Sequence, residues 1–209
     1  MSDYEPHITV GHIVRHAGQS GSAGREAAIM DVAQDLLLRH LHDLGLLDEL
    51  AFKGGTSLRK FYAGQAGRFS IDLDFSVADI GTPTESVVDL LREAIEGLRL
   101  GVFSYAITER RGKPSLVVES TFGTTGTLDA KLDVNPPPWL EPEARPWVPL
   151  PIHSTYGGPL PLIKSVRIEE NVAEKIARLN RTTTARDVYD LVWIREHFRS
   201  SPAEWCSAF

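Results

Sequence analysis

Asp72 and Asp74 stand one residue apart in the run Phe69-Ser70-Ile71-Asp72-Leu73-Asp74-Phe75-Ser76-Val77. In an extended strand, alternate residues point the same way and lie about 7 Å apart. Ile71, Leu73 and Phe75 then share an apolar face, and Ser70, Asp72, Asp74 and Ser76 share a polar one. Two carboxylates on one face repel unless a cation lies between them. Magnesium takes oxygen ligands and is usually shared between carboxylates and substrate phosphates. Alone, an Asp-x-Asp reads as a solvated strand face. Three neighbouring features change that weighing. Upstream, Leu50-Ala51-Phe52 runs into Gly54-Gly55 and then Thr56-Ser57, a strand turning into a helix. Glycine lets a backbone approach a phosphate closely, and a helix start offers unpaired N–H groups. Downstream, Thr127–Val134 alternates again and places Asp133 on a polar face with Asp129 and Lys131. Lys53, Arg59, Lys60 and Arg68 supply cations for phosphate.

These residue types suit attack of a hydroxyl on the α-phosphate of a nucleoside triphosphate (NTP). That reaction is an in-line displacement, which two metals roughly 3.5–4 Å apart stabilise at the attacking and leaving oxygens. Asp72 and Asp74 would hold both metals. Asp133 would hold the metal that activates the hydroxyl and take its proton. Ser57 or the Gly54-Gly55 amides would hold the triphosphate. A second constellation is helical: Glu170, Glu174, Lys175, Arg178 and Arg181 recur at spacings of three and four. Arg186-Asp187 opens the next helix, with Tyr189 and Asp190 close by. This is either a salt-bridged solvent face or a cationic clamp for a triphosphate or an acceptor backbone. The histidines make no site: His7, His12 and His16 are spread along a polar arm, and no His-Glu-x-x-His pattern occurs.

The elements that must position these groups follow from periodicity. Arg25–Leu47 has helical spacing, with Gly45 near its end. Leu50–Phe52 is a strand, Leu58–Tyr62 a helix that Thr56 or Ser57 could cap, and Phe69–Val77 a strand. Pro83–Leu100 reads as an amphipathic helix. Strands follow at Val102–Thr108, Ser115–Ser120 and Thr127–Val134, the first two joined by a hairpin at Arg110–Lys113. Ile163–Arg167 is a last strand or a lead-in, and Ile168–Asn180 and Ala185–Phe198 are helices. The organisation expected is a polar arm over residues 1–24, a core over 25–135, a Pro-rich connection over 136–161 and a helical segment over 162–209. This is an α+β (mixed α/β) order, a sheet with helices on its flank.

Composition narrows the class. The 209 residues carry 22 Lys+Arg against 28 Asp+Glu, a net charge of -6, which argues against a broad nucleic-acid-coating surface. Between Lys164 and Asp187, however, six basic residues face four acids, against the sign of the whole chain. The single cysteine, Cys206, excludes an internal disulfide framework and fits a reducing compartment. The start MSDYEPHITV does not read as a signal peptide, and no apolar run approaches the roughly 18 residues of a membrane span. A cytoplasmic protein without membrane contact, monomeric by default, is expected.

Phe52-Lys53-Gly54-Gly55-Thr56-Ser57-Leu58-Arg59-Lys60 followed by Arg68-Phe69-Ser70-Ile71-Asp72-Leu73-Asp74-Phe75 resembles the first motif of the AbiEii/AbiGii-type nucleotidyltransferase toxins, which include the MenT-like toxins. Lys131-Leu132-Asp133-Val134 is similar to the family's intermediate strand. Glu170-x-x-x-Glu174-Lys175-Ile176-Ala177-Arg178, with Arg181 and Arg186-Asp187-Val188-Tyr189-Asp190-Leu191, resembles its C-terminal helical motif. The resemblance implies a polymerase-β-like nucleotidyltransferase fold and a toxin with a cognate antitoxin. It implies Mg2+-dependent transfer of a nucleoside monophosphate (NMP) from NTP to the 3′ acceptor end of tRNA, which blocks aminoacylation. It makes Asp72 and Asp74 metal ligands, and Lys175 and Asp187 an essential pair. Gly54, Gly55, Thr56, Ser57, Lys60, Arg68, Ser70 and Arg178 are the expected nucleotide-binding set. In some such pairs the antitoxin phosphorylates a hydroxyl near the metal motif. Ser70 is the first candidate, with Thr56 and Ser57 behind it. The alternatives are transfer to a protein hydroxyl or small molecule, and a non-catalytic nucleotide-binding module. The latter has no need of a third carboxylate.

Overall fold

A computed structural model describes residues 5–19, 24–122, 126–182 and 184–198; Cys206 lies outside them. The architecture is α+β, an eight-stranded mixed sheet with helices against it. Helix α1 (Val10–Gln19) and the long α2 (Gly24–Asp43) are followed by β1 (Leu50–Lys53) and the short α3 (Gly54–Leu58). Then come β2 (Leu73–Val77), α4 (Thr84–Ile95), β3 (Arg99–Leu100), β4 (Phe103–Arg110), β5 (Lys113–Ser120) and β6 (Thr127–Asn135). Strands β7 (Glu143–Arg145) and β8 (Ile163–Ser165) and helices α5 (Ile168–Leu179) and α6 (Ala185–His197) complete it. The strand order is β3-β4-β5-β6-β2-β1-β8-β7. None of the helices described is long and apolar enough to cross a membrane.

Register is what builds the site. Strand β2 runs antiparallel to β1 and parallel to β6, so Lys53 pairs with Asp74 and Asp74 pairs with Asp133. Side chains directly opposite one another across neighbouring strands share a face. Lys53, Asp74 and Asp133 therefore form a row across the middle of the sheet. Leu73, Phe75 and Val77 alternate with them and are buried, together with Phe52, Leu132 and the apolar side of α2. A smaller cluster of Leu58, Ala63, Ile168, Val172, Trp193 and Ile194 seats α5 and α6 against α3. That packing brings the helical motif to the same side as the carboxylate row.

Several expectations are corrected. Strand β2 begins at Leu73, not Phe69, because side chains occupy the preceding carbonyls: Gln34 Nε2 donates to Ile71 O and Thr56 Oγ1 to Asp72 O, each at 2.5 Å. Asp72 thus sits just ahead of the strand. Helix α3 starts at Gly54 with Lys53 at its cap, so Thr56 and Ser57 lie inside the helix and cap nothing. Helix α4 stops at Ile95 rather than Leu100, since Gly97 turns the chain at φ 70 and frees Arg99–Leu100 to pair with β4. The expected hairpin forms between β4 and β5, with Arg111 and Gly112 both at positive φ (53 and 72), the backbone a two-residue hairpin turn requires. The stretch read as a polar arm contains α1, whose Ile13 is fully buried and whose His16 hydrogen-bonds Asp31 at 2.8 Å. The Pro-rich connection contributes β7, antiparallel to β8, and a helical turn over Pro151–Thr155 that buries Ile152.

Candidate active site

A cavity of about 340 Å3 opens over the carboxylate row. Its walls bring together Gly54 and Gly55 at the start of α3, Arg68 and Ser70 ahead of β2, and Asp72, Asp74 and Asp133. From the helical motif come Asn171, Glu174, Lys175, Arg178, Arg181, Arg186 and Asp187. Of the residues singled out in the sequence, Thr56, Ser57 and Lys60 are placed elsewhere. Thr56 and Ser57 are fully buried, Thr56 bonded to the Asp72 carbonyl and Ser57 Oγ 2.8 Å from Ser165 Oγ. Lys60 lies behind the site, its ammonium held by Asp35 and by the Asp31 carboxylate at 3.1 Å. Arg59 is likewise committed to Asp31, at 3.0 Å through both Nε and Nη2, and to the carbonyls of Gly64 and Gly67. Both cations organise the α3 turn from behind.

Burial raises the pKa of Asp74 above the ordinary carboxylate range, and the negative charge of Asp72 adds to it. This is the electrostatic state a bound cation would relieve, and the donors are all hard oxygens of the kind Mg2+ takes. In this conformation Asp72 lies 3.5 Å from Arg186 Nη1, and Lys131 hydrogen-bonds Asp133. Among the described residues no three carboxylate, imidazole or thiol groups are drawn into one metal-binding cluster. The three aspartates instead share one cavity wall. Gly54 shapes that wall: it sits at φ 79, and a Cβ there would lie 2.4 Å from Asp74 Oδ2. Gly54→Ala is expected to cost about 1–2 kcal/mol from the left-handed backbone and to push Asp74 aside. Transfer should fall at least tenfold, by roughly the same energy at the reacting centre, in a steady-state assay on protein shown by its melt to be folded. A wild-type rate would show that the placement of Asp74 is unimportant.

In the helical motif two carboxylates fix one lysine. Lys175, nearly buried, donates to Asp190 at 2.8 Å and lies 3.5 Å from Asp187. Burial opposes ionisation of Asp187, but the Thr184 hydroxyl, Lys175 and Arg178 outweigh it and hold the carboxyl below its usual range. Asp190 also grips Arg68 through two bonds of 2.8 and 2.7 Å. Arg68 in turn flanks Gly55: a Cβ there would come within 2.8 Å of Arg68 Nη2 and 2.9 Å of Ser70 Oγ. Asp190 and Glu174, which bonds Lys53, belong to the helical constellation read from the sequence, but no site role was assigned to either there. The available signal was helical spacing, since Asp190 lies one turn beyond Asp187 and Glu174 one turn before Arg178.

An aspartate row, a glycine turn against it and a helical Lys–Asp pair thus line one cavity. The family described as nucleotidyl transferase AbiEii toxin, type IV toxin–antitoxin system, matches residues 35–208. The chain belongs to this family and is a nucleotidyltransferase toxin of the toxin–antitoxin class. The solved structure of MenT4, a nucleotidyltransferase toxin of Mycobacterium tuberculosis H37Rv, matches with a TM-score of 0.79 and 37% identity, over 95% of this chain and 67% of that one. An antigenic nucleotidyltransferase-like protein from Paracoccidioides brasiliensis shares the fold, with a TM-score of 0.50 and 16% identity over 76% of this chain and 74% of that one. No curated protein sequence matches the chain.

Proposed function

We propose that this toxin transfers NMP from an NTP to the 3′ end of tRNA and so blocks aminoacylation and translation, acting as a cytoplasmic monomer that its antitoxin silences. The observation that supports this most is the joint presence of Asp72, Asp74 and Asp133 with six Lys/Arg side chains (Lys53, Arg68, Lys175, Arg178, Arg181 and Arg186) around one cavity. Asp72, Asp74 and Asp133 would hold Mg2+, which, when bound, polarises the α-phosphate and lowers the pKa of the attacking hydroxyl. The arginines of α5 and α6 neutralise the triphosphate and hold it in line. The acceptor oxygen bonds to the α-phosphorus, the α–β bridging bond breaks, pyrophosphate leaves and Asp133 accepts the hydroxyl proton. Lys175, fixed by Asp187 and Asp190, places a positive charge beside the phosphates without swinging free. Ser70 is the one candidate hydroxyl of the three on the cavity wall. A phosphate added there by an antitoxin would occupy the triphosphate's place beside Arg68.

The test is incubation of the protein with each labelled NTP, Mg2+ and total tRNA, repeated with Asp72→Ala. Labelled tRNA that disappears in the variant is the expected result. Label on protein alone would assign a protein hydroxyl as acceptor, and no labelled product with any acceptor would reduce the chain to a nucleotide-binding module.

A further inference from the structure

The cavity wall carries four uncharged polar side chains, Ser70, Asn135, Asn171 and Thr184. Three of them serve the glycine turn or the helical motif. Ser70 stands against the turn, its Oγ 2.9 Å from where a Cβ on Gly55 would lie. Asn171, 2% exposed, donates through Nδ2 to the Gly54 carbonyl at 3.3 Å. The Thr184 hydroxyl donates to the Asp187 carboxylate at 2.7 Å and accepts from the Asp187 amide. Asn135 remains. It ends β6 two residues beyond Asp133, so both side chains rise from one face of the sheet, about 7 Å apart. Pro136 follows it and holds its backbone extended. Its Nδ2 donates to the Phe75 carbonyl at 3.1 Å. A carbonyl oxygen only accepts, so the amide nitrogen must face it. Oδ1 has no partner among the described residues. The half-buried side chain thus keeps one uncharged acceptor for a ligand, on an amide fixed from both ends.

Its position along the sheet says which part of a nucleotide it meets. Strand β1 runs antiparallel to β2, and just past Lys53, the partner of Asp74, the chain enters the glycine turn. Asn135 pairs with Ser76, on the other side of the Asp74–Asp133 row from that turn. The order along the cavity is therefore glycine turn, aspartate row, Asn135. With the leaving phosphates at the turn and the α-phosphate at the row, the next group along is a sugar. It is either the ribose joined to the α-phosphate or the acceptor's terminal ribose, whose hydroxyl attacks in line, opposite the leaving group. Both present hydroxyls, which donate to an amide oxygen. An uncharged amide accepts them without the repulsion that another carboxylate would exert on the phosphates.

We propose that Asn135 is a ribose-binding residue whose Oδ1 accepts from a sugar hydroxyl, so that the site distinguishes ribonucleotide from deoxyribonucleotide. The inference deepens the proposed function and rests on it for where the phosphates lie. The experiment measures equilibrium binding by calorimetry, with Mg2+ present, for wild type, Asn135→Ala and Asn135→Ser, with a thermal melt of each. One arm compares an NTP with its 2′-deoxy and 3′-deoxy forms. The other compares a short single-stranded RNA with the same RNA ending in a 2′-deoxynucleotide. Wild type is expected to favour the ribose form by about three- to tenfold in one arm, the range of a single neutral hydrogen bond. Both variants should bind the two forms alike, and the arm that shows the preference names the source of the ribose. A purely structural role would weaken both forms equally and leave the preference intact in the variants, which overturns the inference. Equal binding of ribose and deoxyribose forms by wild type overturns it too, as does a variant that changes the choice among bases and not among sugars. Folded wild type that binds NTP but transfers nothing to tRNA would defeat the proposed acceptor alone, and the NTP arm would still decide the role of Asn135. Folded wild type that binds neither NTP nor RNA overturns both.

Discussion

Replacing Asp74 by Asn lowers nucleotidyl transfer by at least about a thousandfold, the several kcal/mol a metal-held phosphate contributes. Asparagine preserves the shape that fits against Gly54 and the strand register with Lys53 and Asp133. Only the charge is lost, and the charge is what would hold a cation. The stability effect runs the other way. Burial and Asp72 raise the pKa of Asp74, so the ionised side chain is disfavoured in the fold, and the stability it subtracts grows as pH rises through the carboxylate range. The Asn variant is therefore expected to melt at or above the wild-type temperature at neutral pH. Single-turnover rates and thermal melts on the same sample check both halves. Retention of activity within tenfold of wild type would remove Asp74 from the chemistry.

Asp31→Ala is the corresponding prediction for stability. Asp31 sits in α2 beneath the site and is 1% exposed, contacting His16, Arg59 and Lys60. Removing one member of a buried ion network costs about 3–5 kcal/mol, because the charges that remain are left undercompensated. Chemical denaturation should show that loss, while the rate per folded molecule stays close to wild type because Asp31 is not on the cavity wall. The acid limb carries a signature. Burial works against the ionised form, but Lys60, the His16 hydrogen bond and Arg59 outweigh it and hold the Asp31 carboxyl well below its ordinary range. A depressed folded-state pKa contributes stability that is complete above the unfolded value, about 3.9. It is lost as pH falls from there through the folded pKa. The acid-unfolding curve of Asp31→Ala should be shallower in that window.

The row at Asp74 was legible because strand alternation is a strict period of two: Leu73 and Phe75 had to go inward, so Asp74 faced outward, and β6 obeys the same rule at Asp133. The hairpin was legible from Arg111-Gly112, and α5 and α6 from their apolar spacing. What was not legible depended on which side of a short element faces the site. Helix α3 is a single turn; it meets the cavity through Gly54 and Gly55, and the turn just past its end sends Arg59 and Lys60 into the acids of α2. No periodicity distinguishes those two sides over five residues. The burial of Asp31, Gln34 and Asp35 likewise contradicts their residue types; Asp31 and Asp35 find partners on α1, past α3 and at Tyr156, and Gln34 donates to the Ile71 carbonyl. Asp190 was visible in the helical constellation but without a role for the same reason: that role lies in the contact with Arg68, 122 positions away in the chain.

The measurement that bears most directly on this reading is the mass of the 3′-terminal fragment of tRNA after incubation with the protein, NTPs and Mg2+. Wild type is expected to leave a 3′ fragment heavier by one or more nucleoside monophosphates, and Asp74→Asn one of unchanged mass. A 3′ fragment of unchanged mass with active, folded wild-type protein, or an equal gain with the Asp74→Asn variant, would contradict it.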